Sequence, residues 1–104
     1  MLLYIGTYTR EESRGVYVCQ FQPATGELSA PALAEETVNP TFLALHPNGK
    51  FLYAVNELNP DGGVSAFAVN GDGGLTGLNR VASRGADPCY LELDRTGRCL
   101  LVAN

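Results

Sequence analysis

Glu57 follows directly on the strand-like run FLYAVN at 51–56, where a strand would deliver a side chain to a rim. A carboxylate in that place can position a water molecule or a sugar hydroxyl, which makes Glu57 the candidate catalytic residue. Tyr8 and Arg10 come just after a comparable run, LYIGT at 3–7, and Asn56 and Asn104 close two runs of the same kind. Together with Glu57 these are the candidate substrate contacts, since Tyr and Asn hydrogen-bond hydroxyls and Arg pairs with oxyanions such as phosphate. Each has a plainer reading beside the functional one. An Asn repeated at strand ends suits bonding to the backbone of the next loop, with Thr7 in the same place in the first run. Arg10 and Arg14 would balance Glu11 and Glu12 on a solvated loop.

His46 is the single histidine and the obvious candidate for a general base. It has no Ser or Cys nucleophile near it in sequence, and it opens the turn His46-Pro47-Asn48-Gly49. Asp94 takes its place in a second copy of the segment. Both residue types suit the first position of a turn, so the turn reading is preferred. NPDGG at 59–63 and NGDGG at 70–74 lack the further ligands and closing Glu of a calcium loop and are turns. There is no P-loop, no nucleotide-binding glycine motif after a strand, no nucleophile elbow and no CxxC pair.

Residues 39–56, NPTFLALHPNGKFLYAVN, return without a gap at 87–104 as DPCYLELDRTGRCLLVAN. Pro40 matches Pro88, Leu43 Leu91, Leu45 Leu93, Gly49 Gly97, Leu52 Leu100 and Asn56 Asn104. GVYVCQF at 15–21 and GVSAFAV at 63–69 keep the same spacing. A period of roughly 40–50 residues signals stacked supersecondary units. Strands are expected at 2–9, 16–21, 41–45, 51–56, 64–69 and 75–83, with a weaker outer strand at 28–37 whose Pro31 suits a sheet edge. Turns at 46–49 and 70–74 join them, and the Asn-Gly pairs are hairpin signals. No segment longer than a turn has a helical period.

Each repeat is therefore a meander of four antiparallel strands, one blade of a β-propeller. The runs at 51–55 and 100–103 are apolar on both faces, as in a sheet covered on both sides. A propeller closes with roughly 4–8 blades, and this chain holds about two. It divides into N-terminal strands 1–38, a blade repeat 39–86 and the start of the next blade 87–104. The expectation is an all-β, partial propeller domain, the N-terminal piece of a longer protein. Strand alternation sends the loops after Thr7, Asn56 and Asn104, with those at Asn39 and Asp87, to one rim. The turns at 46–49, 70–74 and 94–97 fall on the other, so a substrate site belongs on the first.

Composition agrees. Apolar residues make up 45% and charged residues 17%, which suits a packed core rather than disorder. A net charge of −4 speaks against nucleic acid or an anionic membrane as the partner. No run reaches the ~18 apolar residues of a membrane helix, and the N-terminus has no secretory leader pattern. Cys19, Cys89 and Cys99 lack metal-ligand spacing, and the last two are expected as small core residues in a reducing compartment. The cytoplasm is the expected location.

GTYT at 6–9, the NP dipeptide at 39–40, LYAVNE at 52–57 and GADPCYLELDRTGRCLLVAN at 85–104 resemble the bacterial seven-bladed β-propeller lactonase family. The resemblance covers the whole chain and implies a seven-bladed fold. It also implies hydrolysis of a sugar lactone, typically 6-phospho-glucono-1,5-lactone, with neither metal nor other cofactor. A related branch contains muconate-cyclising enzymes. The residues credited with the family's chemistry match positions beyond residue 104. The other reading is a non-catalytic propeller that serves as a binding scaffold, because one fold hosts many functions.

Overall fold

The computed structural model describes all 104 residues, which form ten strands and no helix. In chain order they are β1 (Leu2–Ile5), β2 (Gly15–Gln22), β3 (Glu27–Leu28), β4 (Ala32–Glu36), β5 (Leu43–Leu45), β6 (Phe51–Asn56), β7 (Gly63–Val69), β8 (Leu75–Ala82), β9 (Tyr90–Leu93) and β10 (Leu100–Ala103). The middle sheet runs β5-β6-β7-β8, every neighbour antiparallel, and Leu43 pairs with Ala54 as the repeat requires. In the first sheet β2 is flanked by β1 on one edge and by β3 and β4 on the other. β9 and β10 form a two-stranded third sheet. The fold is a partial β-propeller.

Alternation along β6 explains how the sheets stack. Leu52 and Ala54 point to the first sheet, where they join Val16, Phe67 and Leu75 in one core cluster. Val55 points the other way and packs with Val64 and Leu91, with Tyr53, Leu100 and Val102 at the edge. The middle sheet is thus covered on both faces, as its unbroken apolar run predicts. Burying a Leu such as Leu52, 2% exposed, is worth about 1.5–3 kcal/mol.

Four hairpin turns use one device. Gly26, Gly49, Gly73 and Gly97 all have positive φ, between 71° and 90°. The last three donate N–H to the carbonyl three residues back, at His46, Asn70 and Asp94. Asn48 is not left-handed, so the Asn-Gly signal marks a turn closed by a left-handed glycine rather than a two-residue mirror turn.

Several expected boundaries move. β1 stops at Ile5 instead of Thr9, because Thr7 turns its hydroxyl to the Gly15 carbonyl and the Thr9 amide bonds the Asn39 side chain. The outer strand 28–37 is split by residues 29–31, where Pro31 has no N–H to give a ladder. β5 begins at Leu43 instead of Thr41, since the Thr41 amide folds back on the Asn39 carbonyl. Cys89 and Cys99 are exposed, not core. Cys89 sits at the rim just before β9. Cys99 is in phase with Leu101, which is 63% exposed on the face turned away from the middle sheet. The second run is therefore covered on one face only.

Candidate functional site

The loops after β1 and β6 meet on one rim with the segments that lead into β5 and β9. Antiparallel strands deliver them there, and two equivalent clasps hold them. Asn39, left-handed at φ 42°, accepts from the Thr9 amide and hydroxyl through Oδ1 and donates Nδ2 to the Glu57 carbonyl. One repeat on, Asp87, left-handed at φ 52°, accepts from Asn59 Nδ2 at 2.9 Å, and its amide bonds the Leu58 carbonyl. Asn and Asp tolerate this backbone region because a short polar side chain can bond locally. Pro40 and Pro88, each next in sequence, are both buried.

On this frame the carboxylate of Glu57 is half-buried and held at both oxygens. The Tyr8 phenol donates to Oε1 at 2.8 Å, and the Thr41 hydroxyl donates to Oε2. The Arg10 guanidinium lies over the Tyr8 ring, 4.6 Å from its centroid, a cation–π contact. Arg10 has no carboxylate partner, since Arg14–Glu36 is the one ion pair in the chain. The hydrogen bond to Glu57 is the main cause that lifts the Tyr8 phenol above its ordinary value. Desolvation and the negative charges of Glu57 and Asp87 add to it, while Arg10 opposes it. Tyr8 thus stays a proton donor at neutral pH. Beside it lies an open cleft of about 390 Å³ lined by Tyr8, Arg10, Glu11, Glu12 and Ser13, a volume within the range of small-molecule sites.

The structure brings Tyr8, Arg10 and Glu57 together and separates the two asparagines from them. Asn56 is fully buried. Its Nδ2 donates to the Thr37 hydroxyl and the Val38 carbonyl, and its Oδ1 accepts from Ser65. Every polar atom of that side chain is committed to the fold, which argues against contact with substrate. Asn104 is exposed and donates to the Ser83 carbonyl, at a position that does not match either partner of Asn56 one repeat earlier.

His46 lies on the opposite rim, as the strand count predicts. Its Nδ1 accepts from the Asn48 amide, and Nε2 faces the Gly97 carbonyl at 3.2 Å, joining the turns of two sheets. No three His, Cys, Asp or Glu side chains converge anywhere in the chain. Thr41 escaped the sequence reading, because the repeat matches it with Cys89 and so hides its hydroxyl.

Residues 2–104 match the family described as lactonase, 7-bladed beta-propeller. The chain is 35% identical over 102 residues to a 6-phosphogluconolactonase of Bacillus subtilis, an alignment that takes in 97% of this chain and 29% of that protein. It superposes with a TM-score of 0.91 on a Bacteroides fragilis protein provisionally identified as a 6-phosphogluconolactonase, 41% identical, over 99% of this chain and 29% of the other. A periplasmic gluconolactonase of Pseudomonas aeruginosa gives a TM-score of 0.90 at 31% identity, over 99% and 30%. The chain spans about three tenths of the length of these proteins.

Proposed function

Because the chain belongs to the seven-bladed β-propeller lactonase family, we propose that the protein it forms hydrolyses a sugar lactone, with 6-phospho-glucono-1,5-lactone opened to 6-phosphogluconate as the reaction. The observation that carries this reading is the match over residues 2–104 to that family. The Tyr8–Glu57–Thr41 cluster and its cleft support it from the side of geometry. In such a reaction water attacks the lactone carbonyl, a base takes its proton, donors hold the oxyanion and the ring oxygen leaves.

This chain's share is to position the substrate. Glu57, fixed by two hydroxyl donors, accepts from a sugar hydroxyl or from the attacking water. Tyr8 offers its ring, and Arg10, free of any carboxylate, takes the phosphate. The base and the oxyanion donors belong to the further length that the relatives possess. The blade divisions proposed are 1–38, 39–86 and 87–104, a reading that the grouping of the strands into three sheets supports. No helix is long and apolar enough to cross a membrane, and three free cysteines suit the cytoplasm.

The test is acid release at constant pH from glucono-1,5-lactone and its 6-phosphate, using the protein as its own gene encodes it. Faster opening of the phosphorylated lactone supports the reading. Opening of neither, by a folded protein, leaves the propeller as a binding scaffold. Cyclisation of a muconate instead would assign it to the isomerase branch.

A further inference from the structure

Four positions in the chain pair Asn or Asp with a following glycine: Asn48-Gly49, Asp61-Gly62, Asn70-Gly71 and Asp72-Gly73. In such a pair the glycine nitrogen can attack the side-chain carbonyl carbon before it, because no Cβ hinders the approach. The attack needs a backbone N–H that is free to turn. Three of the four are tied: Gly49 donates to the His46 carbonyl at 2.8 Å, Gly62 to Gly85 at 2.9 Å and Gly73 to Asn70 at 3.0 Å. The Gly71 amide lies outside the strands and donates to no group of the chain.

The surroundings of Asn70 suit the same step. Asn70 and Gly71 are exposed, and a Cβ built on Gly71 would meet no atom within 4 Å. The Thr76 hydroxyl donates to Asn70 Oδ1 at 3.1 Å, which draws electrons from the carbon under attack. Asn48 Oδ1 also accepts, from the Lys50 amide, so the free glycine amide is what separates the two asparagines. The Asn70 turn is also a joint. Tyr4 of the first sheet donates its phenol to the Gly73 carbonyl at 2.7 Å, and a Cβ on Gly73 would lie 3.1 Å from the Leu2 methyls.

We propose that Asn70 is a site of self-modification, converted to isoaspartate and aspartate in the folded protein with the help of Thr76, and that the isoaspartyl product loosens the joint between the first two sheets. Hydroxide takes the Gly71 amide proton, and the nitrogen bonds to Asn70 Cγ. The side-chain nitrogen leaves as ammonia, taking a proton from water and restoring the hydroxide. Water then opens the cyclic imide at either carbonyl, with no change of oxidation state. Opening at the main-chain carbonyl leaves isoaspartate, whose main chain runs through the former side chain and is longer by a single carbon. A turn lengthened there no longer holds Gly73 under the Tyr4 hydroxyl. The conversion needs no ligand and stands apart from lactone opening.

The experiment holds the protein, as its own gene encodes it, at mildly alkaline pH. Its peptides are mapped by mass spectrometry with fragmentation that separates isoaspartate from aspartate. Asn70 is expected to convert about ten-fold or more faster than Asn48, Asp61 or Asp72, since freeing a tied N–H costs about one hydrogen bond. In denaturant, where Gly49 is released as well, the two asparagines should convert at similar rates. Thr76→Val should slow Asn70 several-fold and leave Asn48 unchanged, and the isolated isoaspartyl form should melt below the fresh protein. Similar rates at Asn70 and Asn48 in the folded state, conversion of Asn70 only after unfolding, or an unchanged or faster Asn70 in Thr76→Val each overturns the proposal. So does a preference for Asn70 that survives in denaturant, or an isoaspartyl form that melts with the fresh protein.

Discussion

Tyr8 donates its phenol hydrogen to Oε1 of Glu57 across 2.8 Å, joining loops of two successive sheets. The bond turns one carboxylate oxygen toward the first sheet while Thr41 holds the other. In the lactone assay, Glu57→Gln is expected to lower kcat/KM about ten-fold or more, the equivalent of about 1.4 kcal/mol of lost transition-state contact. Tyr8→Phe keeps the ring but releases the carboxylate and should cost a few-fold. Wild-type rates in Glu57→Gln would remove this cluster from the site.

Alkaline pH should loosen the fold through Tyr4. Its hydroxyl donates to the Gly73 carbonyl at 2.7 Å, and burial, with the charge of Asp72 second, raises its pKa above 10.0. The folded state favours the neutral phenol. Its contribution is therefore fully present below pH 10 and lost as pH rises through the folded value. Asp94 works in the opposite sense: the Thr96 hydroxyl and then the Cys99 amide hold its pKa below 3.8, so its contribution is lost as pH falls through that lowered value. Melting across pH should show both limbs, with Tyr4→Phe reducing the alkaline one, to which the raised Tyr8 phenol also contributes, and Asp94→Asn flattening the acid one.

The His46 contact is structural, and its substitution should show that. His46→Ala removes a bond between the turns of neighbouring sheets and should cost about 1 kcal/mol of stability while kcat/KM stays within a few-fold. Gly97→Ala should be worse, because its φ is +71° and the new Cβ would lie 2.3 Å from His46 Nε2. Loss of turnover in a folded His46→Ala protein would show that the chemistry sits on the other rim.

Asn56→Ala should destabilise the fold without a specific effect on KM. It strands the Val38 carbonyl and the Thr37 and Ser65 hydroxyls, which the amide satisfies. Orphaned buried groups cost about 1–3 kcal/mol. Denaturant melting reads the loss.

The 104-residue chain expressed alone should self-associate or melt without cooperativity. Only 17 of its 104 residues are buried, and Tyr90 and Leu101 on one outer sheet, with Leu3 and Ile5 on the other, are among its exposed large apolar side chains. Sheets left in that state pair or aggregate unless a neighbour covers them. A monomer that melts in one sharp transition would count against this.

The blade was legible from residues alone because its signals are short in range. Alternation, a Gly three places after His46, Asn70 or Asp94, and the return of the 39–56 segment at 87–104 need no knowledge of distant contacts. They also placed Tyr8 and Glu57 on one rim and His46 on the other, through the count of antiparallel strands. What the two rim residues do to each other was not legible. The Tyr8–Glu57 bond spans 49 positions and depends on how closely the first two sheets approach, which the packing of Leu52 against Val16 and Phe67 sets. Asn56 is sealed in the interior because Thr37, Val38 and Ser65 close around its amide, whereas its repeat partner Asn104 is exposed. The uncovered outer face of β9 and β10 decided that Cys99 is exposed where Phe51, its equivalent, is half-buried. Arg84 carried no signal in sequence, since only the closure of the segment between β8 and β9 against Gly62 imposes a left-handed backbone on it. Local pattern determines which strands form and how they turn. The depth and pairing of a side chain at a strand's end are decided by the neighbouring sheet.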